Sequence, residues 1–406
     1  MAPCRGCGAQ ELEIVLDLGE MPLANRLLAE ADLSQPEPRY PLALAFCSSC
    51  CLAQITEIVP PEILFRDYAY FSSVSDAMVE HAGKLVDLMT ATRGLDARSL
   101  VIEPASNDGY LLQHYVSRGI PVLGIDPARN IAEAASARGI PTLAEFFDLE
   151  TAETLRREGR LADVVHVNNV LAHVPDLDGF VAGIAKVLKP AGVLVIETPY
   201  VRELVDRLEF DTIYHEHVFY YSLSSLVHVL ARHGLVISDV ARISIHGGSL
   251  RVFAVHEGAA PATAAVQGLL AEEAALGMCT VDYFNGFGLR VEELGAELRT
   301  FLADLRDSGK RLAAYGAAAK GAVLLNAFGI GRETIDFVVD LSPHKQGRYM
   351  PGVHVPIRAP EELLAAQPDA CLLLAWNFAD EILAQQRAYR AAGGKFIIPA
   401  PHVRMV

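Results

Sequence analysis

From about residue 76 the chain alternates short apolar runs with longer helical segments, and this pattern constrains the fold more than any other feature. Apolar runs of strand length occupy residues 99–103, 121–126, 162–168 and 192–199. Strands that alternate with helices predict a doubly wound parallel sheet, with sites at the carboxyl ends of its strands. Two later runs, residues 234–240 and 249–255, predict an antiparallel pair that closes this sheet. We therefore expect an α/β fold with a central Rossmann-like domain over residues 76–258.

A carboxylate ends each of the first two predicted strands, Glu103 and Asp126. The turn after the first strand, Pro-Ala-Ser-Asn-Asp-Gly, lacks the GxGxxG pattern that brings a pyrophosphate against a helix. The spacing from this turn to Asp126 is close to the roughly 20 residues that precede a ribose-binding carboxylate. These features indicate S-adenosylmethionine (SAM), which has a ribose and a cationic amino acid end but no phosphate. A generic α/β domain with polar strand ends is the alternative. We expect the cofactor to contact Glu103, Ser106, Asn107, Gly109, Asp126, Phe147 and Asn169.

A second strand and helix pattern follows two helical segments near residues 260–280 and 284–308. Residues 311–321 read as a strand, a turn of small residues and a helix start, and residues 335–340 as the next strand. We predict a second Rossmann-like domain over residues 259–406. The backbone N–H groups of its first turn can form an anion cradle together with Lys320. A simple structural buttress is the alternative.

The N-terminal 75 residues form a predicted zinc-binding knuckle domain. Its two CxxC pairs, Cys4 with Cys7 and Cys47 with Cys50, each offer two thiolates from one turn. Four soft sulfur ligands suit tetrahedral zinc, and a site closed by four cysteines is structural and not catalytic. We interpret Cys51 as a bystander, and we expect little regular structure in residues 18–26.

The sequence Tyr-His-Glu-His at residues 214–217 places a phenol, a carboxylate and two imidazoles within four positions. Such groups can abstract a proton, hold the base and hydrogen-bond an oxyanion. Histidines on a loop could equally form a solvated surface feature. The neighbouring methyl-donor site and second lobe favour a catalytic interpretation.

The composition excludes several classes of function. The net charge of −16 argues against nucleic acid as a partner, because phosphate backbones are bound by Lys and Arg. No apolar run approaches the roughly 18 residues that a membrane span requires, and the first residues have no signal-peptide pattern. Five of the seven cysteines lie in the first 51 residues, which suits a metal site in a reducing compartment. We expect a cytoplasmic monomer that binds a small molecule.

Seven motifs occur in order along the chain after the first cysteine knuckle. They are Tyr-Ala-Tyr-Phe-Ser-Ser, Glu-Pro-Ala-Ser-Asn-Asp-Gly, Asn-Asn-Val-Leu-Ala-His-Val-Pro-Asp, Tyr-His-Glu-His, His-Gly-Gly-Ser-Leu-Arg, Tyr-Gly-Ala-Ala-Ala-Lys-Gly and Pro-His-Lys-Gln-Gly-Arg-Tyr. Together with the knuckles, they resemble SAM-dependent C-methyltransferases that act on nucleotide-diphosphate 4-keto-deoxysugars, such as the enzyme of the tetronitrose pathway that methylates C-3. The resemblance covers essentially the whole chain.

The resemblance implies a mechanism through an enolate. His217 would remove the proton from the carbon next to the ketone, with Glu216 and Tyr214 beside it. Tyr68 and His173 would line the sugar site with Tyr214 and stabilise the enolate, and Tyr68 is preferred to Tyr70 in this role. Residues 61–76 by themselves predict only a linker with Ser75 as a helix cap. The nucleotide sugar itself would contact Tyr70, His246, Arg251, Lys320 and Arg348.

Other functions remain open at this stage. The same enolate chemistry reaches C-3 or C-5 of a 4-ketosugar. An O-methyltransferase that acts on a sugar or related metabolite would use a hydroxyl acceptor and would exchange no carbon-bound proton. A SAM-sensing or nucleotide-sugar-sensing module would bind its ligand without turnover. A zinc-dependent nucleic-acid binder is opposed by the acidic charge.

Overall fold

The computed structural model describes residues 2–65 and 72–406, and its strands form three sheets. The strands are β1 (Glu13–Pro22), β2 (Arg39–Cys47), β3 (Leu52–Ile55), β4 (Val101–Pro104), β5 (Val122–Ile125), β6 (Thr142–Leu143), β7 (Ala162–Asn168), β8 (Leu188–Pro199), β9 (Phe219–Tyr220), β10 (Leu235–Ile243), β11 (Ser249–His256), β12 (Leu312–Tyr315), β13 (Val338–Val339), β14 (Ile357–Arg358), β15 (Ala370–Leu373), β16 (Lys395–Ile398) and β17 (Arg404–Met405). The helices are α1 (Pro61–Phe65), α2 (Asp76–Arg93), α3 (Leu112–Val116), α4 (Arg129–Ala137), α5 (Leu149–Arg157), α6 (Leu177–Val187), α7 (Val201–Asp206), α8 (Leu223–Ala231), α9 (Ala264–Ala275), α10 (Phe287–Asp307), α11 (Ala319–Ala327), α12 (Glu361–Ala366), α13 (Ala379–Gln385) and α14 (Arg387–Ala391).

The N-terminal sheet is antiparallel, with the strand order β1-β2-β3-β9. Its last strand comes from the middle of the chain, where Tyr220 pairs with Ala53. The catalytic segment predicted from the sequence therefore continues directly into the zinc-domain sheet.

The expectation of little regular structure in residues 18–26 is wrong for its first half, because β1 extends to Pro22. The pairing of β1 with β2 is irregular between Asp17 and Glu20, and Gly19 has φ = +71° there. This irregularity interrupts the simple alternation of apolar residues by which a strand is recognised in a sequence. Leu16 and Met21 are nevertheless buried on the inner face.

The central sheet has seven strands in the order β10-β11-β8-β7-β4-β5-β6. β8, β7, β4, β5 and β6 are parallel, and β11 runs antiparallel between β8 and β10. All four residues of β4 are buried, as are those of β5, which is typical of strands covered by helices on both faces. The structure thus confirms the predicted parallel sheet and its closing antiparallel pair. Ser75 caps α2 as predicted, because its side chain accepts a hydrogen bond from the backbone N–H of Met78.

The C-terminal sheet has six strands in the order β14-β13-β12-β15-β16-β17. Its first five strands are parallel, and β17 is antiparallel to β16. This order reverses direction between β12 and β15, as in a Rossmann-like fold, and the predicted second domain is confirmed.

A disulfide between Cys51 and Cys279 joins the zinc domain to the segment between α9 and α10. The interpretation of Cys51 as a bystander is therefore wrong. The two cysteines are separated by 228 residues, so their local spacing carried no information about the pairing.

None of the helices within residues 2–65 and 72–406 combines the length and the apolar character needed to cross a membrane.

Candidate active site

His217 has one ring nitrogen against a backbone carbonyl and the other against a phenol. Its Nδ1 lies 2.9 Å from the carbonyl oxygen of Thr212, and its Nε2 lies 2.9 Å from the hydroxyl of Tyr214. Because a carbonyl oxygen only accepts hydrogen bonds, Nδ1 must carry the proton. The neutral imidazole then has its lone pair on Nε2, where a base needs it. The structure thus places Tyr214 and His217 in direct contact, as the catalytic hypothesis requires.

His173 reaches the same place from the turn after β7. Its ring centroid lies 4.7 Å from that of His217, and its side chain hydrogen-bonds to the backbone of Glu216. Burial lowers the pKa of His173 to about 4, so this imidazole is neutral at pH 7. The N–H of Val218 donates to the carbonyl of Ala172 at 2.7 Å and holds the two loops together.

Glu216 is a buried carboxyl that points towards the zinc domain. The side-chain amide of Asn25 donates to its Oε1 at 2.7 Å. Burial raises the pKa of Glu216 to about 7, although the hydrogen bond from Asn25 acts in the opposite direction. The carboxyl therefore changes its charge within the physiological range. The neighbouring His215 has its Nε2 3.3 Å from the carbonyls of Tyr40 and Pro41, a structural environment.

The predicted cofactor turn follows β4. Ala105, Asn107 and Gly109 all have positive φ, which folds residues 105–109 into a tight loop. Asp126, at the end of β5, accepts hydrogen bonds from the backbone N–H groups of Asn107 and Ala128 at 2.9 and 3.0 Å. The two strand ends are thus joined through the turn.

The buried oxygen atoms of Glu103 and Ser106 fit SAM as a ligand. Within the described residues, Oε2 of Glu103 and Oγ of Ser106 are buried without a hydrogen-bond partner. Burial raises the pKa of Glu103 well above its usual value, and the nearby Asp126 and Asp108 carboxylates raise it further. A cation or hydroxyl donor placed here would satisfy these atoms and favour the ionised carboxyl. The ammonium group and ribose of SAM supply such donors.

The two other predicted cofactor residues differ in their surroundings. Asn169, after β7, has φ = +57° and a buried Oδ1 without a partner among the described residues. Phe147 is buried against Phe180, with ring centroids 5.3 Å apart, so it packs into the hydrophobic core.

The basic residues predicted to bind the substrate have partners within the chain. Arg251 forms an ion pair with the buried Glu197, which also contacts His81. Lys320 lies 3.5 Å from Asp211. Arg348 is exposed, and its Nε donates to a backbone carbonyl. Tyr68, Tyr70 and the side chain of His246 lie outside the described residues, and their assignments stay predictions.

Four sulfur atoms lie within 4.8 Å of one another, those of Cys4, Cys7, Cys47 and Cys50. The Cys4–Cys50 and Cys7–Cys47 pairs have Sγ···Sγ distances of 3.6 and 3.7 Å. A tetrahedron with Zn–S bonds of about 2.3 Å has sulfur separations of about 3.8 Å. The cluster therefore fits the predicted structural zinc, with no ligand position left for chemistry.

Several residues that hold the predicted catalytic segment could not be identified from the sequence. Asn25 lies 191 residues from Glu216, and Trp376 lies 165 residues from Asp211. Thr212 contributes only its backbone carbonyl, which any residue type could supply. The single sequence signal was the position of Asn25 in a turn-forming run, Pro-Leu-Ala-Asn-Arg.

Three family models match consecutive parts of the chain. They describe a zinc binding domain over residues 4–65, a methyltransferase domain over residues 78–240 and a C-methyltransferase C-terminal domain over residues 244–401.

A full-length relative is the C-methyltransferase NovU of Streptomyces niveus, with 38% identity over 99% of this chain and 96% of that protein. A ubiquinone biosynthesis O-methyltransferase of Bartonella bacilliformis matches 24% of this chain and 40% of its own length at 31% identity. Among solved structures, magnesium protoporphyrin IX methyltransferase from Synechocystis with bound SAH covers 44% of this chain and 83% of its own, at 15% identity and a TM-score of 0.35.

The zinc cluster generates a first prediction. Replacing Cys47 with Ser should lower the zinc content from one ion per chain to well below half and should lower the melting temperature, because structural zinc contributes directly to folding. Activity should fall as well, since β3 of this domain pairs with β9 after His217. Metal analysis and thermal unfolding measure these effects. Cys371→Ala, at a buried cysteine of the C-terminal sheet, should retain the zinc, and an unchanged zinc content in Cys47→Ser would contradict the assignment.

The pKa of Glu216 generates a second prediction. The pKa of Glu216 is about 7 in the folded protein and near 4.5 in the unfolded chain, so between these pH values the folded state binds more protons. The free energy of unfolding therefore falls as the pH rises from about 4.5 to about 7. Glu216→Gln keeps the acceptor for Asn25 and cannot ionise. Between pH 5.5 and 8.5 the wild type should therefore lose about 2 kcal/mol of unfolding free energy relative to this variant. Urea unfolding at the two pH values measures the difference, and equal pH dependences would show that Glu216 is already ionised at pH 5.5.

Proposed function

This chain belongs to the family of SAM-dependent C-methyltransferases with an N-terminal zinc-binding domain, and we propose that it methylates a nucleotide-diphosphate 4-keto-deoxysugar. The methylated atom is the ring carbon next to the ketone, C-3 or alternatively C-5. A C–H bond at this position is acidic enough for removal by a side-chain base, because the ketone takes the negative charge of the enolate. Beyond the family assignment, we thus propose a substrate class and a mechanism.

The observation that supports this mechanism most directly is the environment of His217. The carbonyl of Thr212 fixes the proton on Nδ1, so Nε2 offers its lone pair on the side of Tyr214 and His173. We assign Nε2 as the atom that accepts the proton from the sugar carbon. General-base catalysis by such a group contributes typically 10²–10⁴-fold to the rate.

Tyr214 is the residue that we assign to stabilise the enolate oxygen, and His173 lies beside the base. The phenol of Tyr214 donates to Nε2 of His217 in the free enzyme, and with substrate bound we assign this O–H to the developing oxyanion. His173 is neutral at pH 7 and packs against His217, so it lines the proposed sugar site without adding a second cation beside the base. We assign Glu216 a supporting role, because its carboxyl accepts a hydrogen bond from Asn25 and holds the segment in place. Tyr68 completes the predicted set.

When bound, SAM supplies the methyl group and leaves as S-adenosylhomocysteine. The turn after β4, Asp126 at the end of β5, Asn169 after β7 and Phe147 are the residues that would hold it. The enolate carbon would accept the methyl group, and the sugar ketone would be restored. His217 then returns its proton to solvent.

We propose that basic residues bind the nucleotide sugar. Arg348 is exposed and has a guanidinium suited to a diphosphate. Arg251 is held by Glu197, with its position fixed for a sugar or nucleotide oxygen. Tyr70 and His246 stay in the predicted set, and the ammonium of Lys320 is considered in the next subsection.

The proposal predicts exchange of a carbon-bound proton. A thymidine-diphosphate 4-keto-deoxysugar incubated with the enzyme in D₂O, without SAM, should lose one ring-proton resonance next to the ketone in ¹H NMR. His217→Ala should slow this exchange by about 10²–10⁴-fold, because the base is removed. His228→Ala, at an exposed histidine of α8, is the matched control and should exchange at the wild-type rate.

Absence of exchange in the wild type would contradict the enolate mechanism. If methyl transfer to oxygen then occurred with SAM, the chain would be an O-methyltransferase of a sugar or related metabolite.

A further inference from the structure

A carboxylate next to the catalytic segment is buried against the C-terminal domain. Asp211 is fully buried, and its Oδ2 accepts a hydrogen bond from the indole N–H of Trp376 at 2.7 Å. The ammonium of Lys320 lies 3.5 Å from Oδ1 and 4.1 Å from the centroid of the Trp376 ring. The ammonium thus has both a counter-ion and an aromatic face within the protein.

A second contact lies one residue earlier in the chain. Phe210 is buried and packs on Phe328, with ring centroids 4.8 Å apart. Lys320 occupies the first turn of α11, and Phe328 directly follows the last residue of the same helix. Helix α11 therefore contacts the short 3₁₀ turn Phe210–Thr212 from both of its ends.

The third residue of this turn contacts the base. The carbonyl of Thr212 accepts the hydrogen bond from Nδ1 of His217, and the hydroxyl of Tyr220 donates to the same oxygen at 3.3 Å. Three successive residues thus connect the C-terminal domain to the imidazole: Phe210 and Asp211 contact the domain, and Thr212 contacts His217.

We propose that the C-terminal domain positions the His217 base through this turn, with Lys320 and Trp376 as positioning residues for proton abstraction. The inference rests on the proposed role of His217. A buried carboxylate is strongly unfavourable without its partners, so the turn keeps its place only while Lys320 and Trp376 hold Asp211. The placement of the Thr212 carbonyl in turn keeps the proton on Nδ1 and the lone pair on Nε2.

This role differs from the anion cradle that the sequence suggested for Lys320. A lysine that binds the diphosphate would raise the KM for the sugar nucleotide when it is replaced, and proton abstraction would be little affected at saturation. A positioning lysine would lower kcat and the exchange rate, and the KM would stay nearly constant.

The direct test is the tautomer of His217, which needs no substrate. Protein labelled with ¹⁵N-histidine is studied by NMR, and the His217 signals are assigned from their loss in His217→Ala. The wild type should show the Nδ1–H tautomer. Trp376→Phe keeps an aromatic ring under Lys320 and removes only the N–H donor to Asp211; Lys320→Met removes the cation. Both variants should show mixed tautomers and an exchange rate at least tenfold lower, with the KM changed less than about threefold.

Two further variants make the result specific. Lys320→Arg keeps the charge and the stacking on Trp376, and it should restore most of the exchange rate. Arg358→Met is a matched control: Arg358 also pairs with a carboxylate, Glu362, at 3.5 Å and lies over an aromatic ring, Phe337, but it is in β14. It should leave the tautomer and the rate unchanged. If Lys320→Met fails to fold, Trp376→Phe decides the question alone.

The inference would be overturned if His217 kept the Nδ1–H tautomer in Trp376→Phe and Lys320→Met, or if Lys320→Met only raised the KM. Failure of the proposed function is a separate result, because the wild type would then exchange no ring proton, or His217→Ala would exchange it at the wild-type rate.

Discussion

The hydrogen bond from Nδ1 of His217 to the carbonyl of Thr212 is the interaction on which the proposed catalytic arrangement depends. A neutral imidazole exists as two tautomers, and only one has its lone pair on the nitrogen that faces Tyr214 and His173. A backbone carbonyl selects that tautomer because it cannot donate. The tautomer of His217 depends on the position of the Thr212 carbonyl. The residues that hold this turn therefore affect the proposed proton transfer as well as stability.

Three parts of the chain hold the segment that contains this bond. The zinc domain supplies Asn25 to Glu216 and pairs its strand β3 with β9. The central sheet contributes the carbonyl of Ala172, which accepts from Val218. The C-terminal domain buries Asp211 against Lys320 and Trp376. The zinc-binding domain, the methyltransferase domain and the C-terminal domain therefore meet at one short stretch of the chain.

The features that could be predicted from the sequence are those set by a local pattern of residues. Alternating strands and helices gave both parallel sheets, paired CxxC spacing gave the zinc cluster, and Tyr-His-Glu-His gave the phenol–imidazole contact. Pairings across more than 150 residues, such as Asn25 with Glu216 or Trp376 with Asp211, depend on how the domains pack, and neither partner carries a local signal. The disulfide between Cys51 and Cys279 was missed for the same reason. Strand β1 was missed in part because an irregular pairing interrupts its alternation.

We propose that the methyl group is transferred to a ring carbon activated by the neighbouring ketone. The most direct measurement is ¹³C–¹H correlation NMR of the product formed from a thymidine-diphosphate 4-keto-deoxysugar and SAM with a ¹³C-labelled methyl group. Transfer to carbon predicts a methyl resonance that correlates with a ring carbon next to the ketone, C-3 or C-5. A methyl resonance attached to oxygen would contradict it.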